Sequence, residues 1–244
     1  MHRQRADLLL VERGLAESRE RAKVLILAGV VTASGQRVNK PGMLLPAEAE
    51  IEVAQPPRYV GRGGLKLEAA LETFPVDATG KAAIDVGAST GGFTDCLLQH
   101  GARRVFAVDV GHGQLDWKLR NDERVVCLER QNARHLRSEL ISEPPQVATF
   151  DVSFISLTLV MPPVLSLLAP GADIIALVKP QFELSPADTP KGVVRDPDKR
   201  RQALEKIKGF SAGAGLEVLG EMESPLPGPK GNREWLLHLR TDKH

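Results

Sequence analysis

Apolar residues in this chain change their spacing near residue 80. Before that point they form short helical faces and brief alternating runs. Residues 5–13 read as a short helix stopped by Gly14, and Ser18 predicts an N-cap for a second helix reaching Ala28, with Gly29 just beyond its end. Ala22, Leu25 and Ile26 share one face of that helix, and Arg19 and Lys23 share an edge of it. Val30–Ala33 and Gln36–Val38 are strand-like, and Ser34-Gly35 between them predicts a tight hairpin. Glu50–Val53 predicts one more short strand. Pro56-Pro57 marks a boundary, and the Gly- and Arg-rich segment 58–64 reads as a linker.

From residue 81 strand-like runs alternate with helical ones. Strands are expected near 82–86, 104–109, 124–128, 146–151, 172–178, 215–222 and 234–240, with helices around 93–100, 155–168 and 199–209. That alternation predicts an α/β, Rossmann-like domain with a mostly parallel seven-stranded sheet, preceded by a small α+β domain. The expected organisation is 1–57, a linker at 58–64, and 65–244.

Charge adds to this division. Net charge over the 244 residues is +1, yet residues 1–66 hold eleven Lys/Arg against seven Asp/Glu. A basic front end on a slightly acidic body suits a polyanionic partner. Cys96 and Cys127 have no CxxC partner, so neither a disulfide framework nor a cysteine zinc site is expected. The six histidines lack HExxH spacing, so no metal is expected either. The early leucine run is too short for a signal-peptide core, and Leu157–Leu168 is interrupted by Pro162 and Pro163. A cytoplasmic protein without stable membrane association, monomeric by default, is the expectation.

The chemistry lies first in the turn after the strand at 82–86, Asp85-Val86-Gly87-Ala88-Ser89-Thr90-Gly91-Gly92-Phe93. A glycine turn between a first strand and a helix lets backbone approach a ligand closely. The lysine of a nucleoside-triphosphate loop is absent, and Ser89 stands at the middle glycine of a dinucleotide fingerprint. An acidic strand end followed by a looser glycine turn fits a methyltransferase. Asp109, at the end of the next strand, suits ribose hydroxyls. Gly87–Gly91 also matches the GxSxG elbow of serine hydrolases, with Asp173 and His238 following in order. A hydrolase elbow comes after several strands, whereas this turn follows the first.

Five ordered blocks carry a resemblance: Gly61–Leu67, Asp85–Asp95, Val108–Leu115, Asp151–Leu157 and Leu177–Glu183, with Lys191–Arg195 after them. Together they resemble the TlyA family of ribosomal RNA methyltransferases, once labelled hemolysins. The second domain is similar to FtsJ-type ribose methyltransferases, and the first sixty residues resemble an S4 RNA-binding domain. The resemblance implies 2′-O-methylation of ribosomal RNA, at cytidine, with S-adenosyl-L-methionine as donor and ribosomal RNA or ribosomal subunits as partner. It implies a catalytic set at Lys66, Asp151, Lys179 and Glu234. It also implies cofactor contacts at Asp85, Gly87, Ser89, Gly91, Gly92, Phe93, Asp109 and Asn132. His112 stands where an aromatic residue such as tyrosine is expected.

Transfer from a sulfonium to a ribose hydroxyl is an in-line displacement that needs alignment and a path for the hydroxyl proton. Lys179 and Asp151 each follow an apolar strand, where open parallel sheets hold ligands. Burial and Lys66 would favour a neutral Lys179, two carboxylates a charged one, and the residue types leave both open. Glu234 could equally be an ordinary strand start. Arg5, Arg19, Arg21, Lys23, Arg37, Lys40 and Arg62 are the expected RNA contacts, directed at phosphates. Two other readings remain: an RNA-binding protein that keeps the fold without the activity, and a membrane-acting hemolysin.

Overall fold

The computed structural model describes residues 3–54 and 57–242, so Pro56 of the expected boundary lies outside the described residues. The chain divides into two compact units, Met1–Arg58 and Tyr59–His244. Segment 58–64 is therefore not a free linker. Tyr59 is buried in the core of the second unit, the Val60 amide donates to Asp95 at 2.9 Å, and Gly63 already belongs to a helix.

The first unit runs β1 (Arg3–Arg5), α1 (Ala6–Glu12), α2 (Arg19–Leu27), β2 (Val31–Ala33), β3 (Gln36–Arg37), β4 (Leu44–Pro46) and β5 (Ile51–Val53). Ser18 caps α2 by accepting from the Arg21 amide, and Ala22, Leu25 and Ile26 are its buried face, as the spacing predicts. Ser34 and Gly35 both have positive φ and turn β2 into β3. β5 completes an antiparallel three-stranded sheet on the other side of β2. The β1–β4 pair was not expected from the sequence; three-residue strands carry too little alternation to stand out.

One carboxylate ties this unit together. Asp7 on α1 is fully buried and accepts hydrogen bonds from Arg5 at 2.9 and 3.0 Å and from Arg19 at 2.9 Å. Two of the expected RNA contacts are thus anchored to a buried acid while remaining partly exposed. Arg21, Arg37 and Lys40 are exposed, Lys23 pairs with Glu20 at 3.7 Å, and the Arg37 guanidinium lies over Gly29.

The second unit runs α3 (Gly63–Thr73), β6 (Ala82–Val86), α4 (Gly92–Gln99), β7 (Arg104–Val108), α5 (Trp117–Arg120), β8 (Val125–Leu128), β9 (Val147–Phe150), α6 (Leu157–Leu165), β10 (Asp173–Val178), α7 (Pro180–Glu183), α8 (Pro197–Gly213), β11 (Glu217–Glu223) and β12 (Trp235–Arg240). The seven-stranded sheet has the order β11-β12-β10-β9-β6-β7-β8, and β12 runs antiparallel to both its neighbours. Strand alternation divides the core in two. Ala83, Val105, Ile175, Leu177 and Leu236 pack with α3 and α4, while Ile84, Phe106, Phe150, Ile174 and Leu237 pack with α6 and α8. Chain order reverses between β6 and β9, which opens a crevice at their C-terminal ends. Among the described residues no helix is long and apolar enough to cross a membrane.

The Arg5 and Arg19 guanidiniums hold the Asp7 carboxyl well below the usual carboxylate range, Arg5 contributing most. A lowered folded value means stability that is complete above about pH 4 and is lost as acid protonates the group. Asp7→Ala should destabilise the first unit by about 1–2 kcal/mol, since both arginines are partly solvated. Hydrogen exchange of α1 and α2 amides in the full chain should quicken at pH 7, with the difference from wild type shrinking below pH 4; equal protection at pH 7 would refute the anchoring role.

Candidate active site

Period-two alternation aims the charged residues. On β9 the face shared with α3 and α4 carries Val147 and Thr149, and the next position on it is Asp151. On β10 the same face carries Ile175 and Leu177 and then Lys179; on β12 it begins with Glu234 ahead of Leu236. The antiparallel register pairs Val178 with Trp235, so one step further Lys179 stands opposite Glu234. Lys66 reaches the same place from the first turn of α3.

The four side chains form two ion pairs. Lys179 Nζ lies 2.5 Å from Asp151 Oδ1 and donates to Ser153 Oγ at 3.1 Å. Lys66 Nζ lies 2.6 Å from Glu234 Oε2, and both residues are buried. These four, with Arg62, Ser153 and the 226–229 loop, line a cavity of about 310 Å³. Gly228 in that loop lies so close that an added Cβ would fall 2.0 Å from Glu234 Oε1.

A second cavity of about 450 Å³ adjoins it and shares Gly87, Ser89, Asp151 and Ser153 as lining. Its other walls include Asp109, Asn132, Val108, Val110, Gln114 and Phe154. Asp109 accepts from the Ser89 amide at 2.8 Å and the Gly111 amide at 2.6 Å. A carboxylate has about four lone-pair sites, so capacity for ribose hydroxyls is left. Asn132 Oδ1 is taken by Arg134, which leaves Nδ2 as the donor it can offer. Polar groups at one end, an apolar wall and this volume fit a nucleoside-bearing cofactor.

Other expected cofactor contacts lie elsewhere. Asp85 lines neither cavity: Ile84 and Val86 face α6, so Asp85 faces α4, where it is fully buried and accepts from Thr94 at 2.7 Å and Thr149 at 2.9 Å. Gly91 also lines neither. Its φ is +98°, and an added Cβ would strike Leu119 and Leu115. Gly92 and Phe93 line the smaller cavity only, and a Cβ on Gly92 would meet the Gly64 amide at 2.9 Å. Gly92 therefore serves the close approach of α4 to α3, and Gly91 the close packing of Leu115 and Leu119 on the turn.

Several lining residues carried no expected role. Ser153 and Phe154 stood inside a quoted block. Phe154 is 90% exposed with φ +64°, and its ring lies tilted against Phe182, with centroids 5.2 Å apart. Glu129 organises the 111–115 loop: backbone amides there, with Arg120, hold its carboxyl down at about 2. His112 pairs with Glu129 at 3.1 Å and does not line the larger cavity. The hydrolase motif separates in space. His238 does pair with Asp173 at 3.0 Å, but at the N-terminal end of β10, while Ser89 follows the C-terminal end of β6.

Two substitutions test this geometry. Gly87 has φ +89°, and an added Cβ would lie 2.6 Å from the Asp151 carbonyl oxygen. Gly87→Ala should cost about 1–2 kcal/mol in backbone strain alone and push the two strand ends apart. Cofactor affinity by calorimetry should fall in step, and wild-type affinity would contradict the close-approach role. Burial pushes the Asp85 carboxyl up to about 7, with Thr94 and Thr149 pulling it part of the way back. A raised folded value means the folded state holds a proton that the unfolded chain releases near pH 4, so stability declines between about pH 4 and 7. Asp85→Asn should keep the fold and remove that decline. Thermal midpoints from pH 5 to 8 that run parallel to wild type would show that Asp85 does not titrate there.

A family model for FtsJ-like methyltransferase matches residues 59–241, and one for the S4 domain matches residues 4–51. YqxC of Bacillus subtilis (strain 168) is 51% identical over 97% of this chain and 85% of its own. The 16S/23S rRNA (cytidine-2′-O)-methyltransferase TlyA of Mycobacterium tuberculosis is 45% identical over 98% of this chain and 90% of its own. A solved structure from Streptococcus thermophilus, named as a hemolysin, shares 43% identity with a TM-score of 0.76, covering 99% of this chain and 90% of that one. With an S4 domain ahead of a catalytic unit built this way, the chain belongs to the FtsJ-like methyltransferases of the TlyA family.

Proposed function

We propose that this protein transfers a methyl group from S-adenosyl-L-methionine to the ribose 2′-hydroxyl of a cytidine in ribosomal RNA. The observation that carries the reading is the convergence of Lys66, Asp151, Lys179 and Glu234 on one cavity, wall to wall with a second cavity suited to a nucleoside. Gly87, Ser89, Asp109 and Asn132 would hold the cofactor, which supplies an electrophilic methyl on sulfur. Asp151 and Ser153 line both cavities, so the reacting hydroxyl belongs beside them.

Lys179 is positioned for that hydroxyl. Asp151 and Ser153 fix its ammonium from two directions. As the O–CH₃ bond forms, the S–CH₃ bond breaks and the hydroxyl proton must leave oxygen. The Lys179–Asp151 pair can take up one proton, so the released proton stays within it, and the lysine stabilises developing negative charge on oxygen. Lys66 and Glu234 form the opposite wall and position the ribose. The exposed Phe154 ring offers a face to a nucleobase drawn out of its stack. Arg21, Arg37 and Lys40 of the S4 domain, with Arg5, Arg19 and Lys23, would meet phosphates of folded RNA, and Arg62 would do so at the catalytic cavity.

The reading is tested by transfer of labelled methyl to purified ribosomal subunits that lack the modification, followed by nuclease digestion and mass spectrometry. The expected product is 2′-O-methylcytidine. Lys179→Ala should lower transfer by at least about 100-fold with cofactor affinity kept. Full activity in that variant would remove Lys179 from the mechanism. Absence of both transfer and cofactor binding in the wild type would favour an RNA-binding protein without the activity.

A further inference from the structure

The block Lys191–Arg195 has no part in the chemistry above. Its first turn, Pro190-Lys191-Gly192, recurs as Pro229-Lys230-Gly231. The two tripeptides fold alike. Each makes a tight turn with its lysine left-handed, at φ 57°, ψ 19° and φ 58°, ψ 18°. A glycine follows each, at φ 75° and 79°. A side chain in this region is strained, and glycine takes it freely. A strained lysine used twice in one molecule implies a use for the side chain.

The turns are held face to face by Asn232, which is buried. Its Oδ1 accepts from the Val194 amide at 3.0 Å, and its Nδ2 donates to the Gly192 carbonyl at 2.9 Å and the Pro229 carbonyl at 3.2 Å. Lys230 Nζ reaches across to the Lys191 carbonyl at 3.2 Å. Both lysines are exposed, and among the described residues neither has a carboxylate partner. Two exposed lysines thus stand on adjoining turns with no carboxylate to neutralise them, which favours an anion.

The location identifies the anion. Pro227, Gly228 and Pro229 line the catalytic cavity, and the Gly228 amide donates to the Asn232 carbonyl at 2.8 Å. Lys230 therefore follows the cavity wall by one residue, with the Lys191 turn held against it. A ribose presented to Lys179 carries a phosphate on each side, and those phosphates must cross the rim. We propose that the twin Pro-Lys-Gly turns form a two-lysine clamp on the RNA backbone next to the target ribose. The clamp rests on the RNA methyltransferase reading above.

The double variant Lys191→Gly, Lys230→Gly removes both charges and puts the residue that suits φ above zero in each turn, so the turns should persist. Methyl transfer to ribosomal subunits and binding to them would be measured across a salt series, with cofactor affinity alongside. The expected result is a KM for subunits raised by roughly tenfold, and a slope of log affinity against log salt shallower by about 0.7 for each lysine lost. The kcat and cofactor affinity should be unchanged. Lys191→Arg, Lys230→Arg should restore KM and slope. A glycine variant with wild-type KM and slope, beside an active wild type, overturns the clamp alone. A raised KM with an unchanged slope also overturns it, because the loss would not be electrostatic. A wild type that neither binds nor methylates subunits overturns the function and the clamp together.

Discussion

A lysine ammonium removed from water needs a counter-charge, and this requirement organises the C-terminal end of the sheet. Lys66 and Lys179 are both buried, and each is met by a carboxylate from a different element. Such pairs add little net stability, because desolvation offsets most of the attraction. Losing one partner would leave a stranded charge. The arrangement is therefore an expense in folding that serves the cavity it surrounds, and β9, β10, β12 and α3 must all be in register for it to form.

Close backbone approach is the second constraint, and glycines set it. Gly87 lets β6 end against Asp151, Gly92 lets α4 lie on α3, and Gly228 lets the 224–234 loop close over Glu234. Each removes a Cβ that would collide with something the site uses. In this protein the glycine turn after β6 acts partly on a ligand cavity, through Gly87, and partly on helix packing, through Gly91 and Gly92.

Cations on the two units are held in different ways. In the S4 domain Arg5 and Arg19 are fixed by the buried Asp7, which limits the shapes they can adopt. In the catalytic unit Lys191 and Lys230 sit on turns whose backbone is fixed by Asn232.

The alternation of strands and helices in the second unit, the Ser18 cap and the Ser34-Gly35 hairpin were legible in the sequence, because each depends on local spacing or turn chemistry. Lys179 and Asp151 were legible as strand-end residues. Helix α3 was not, because it opens on Gly63-Gly64, which read as linker until its packing on α4 is known. The direction of Asp85 was equally hidden: an acid at a strand end looks like a ligand contact, and only the layer above decides whether it meets solvent or Thr94 and Thr149. Tertiary structure alone set Lys66 against Glu234 and Pro190-Lys191-Gly192 against Pro229-Lys230-Gly231. Those pairings join segments far apart in the chain, and no local pattern encodes which distant partner will neutralise a charge or share a turn.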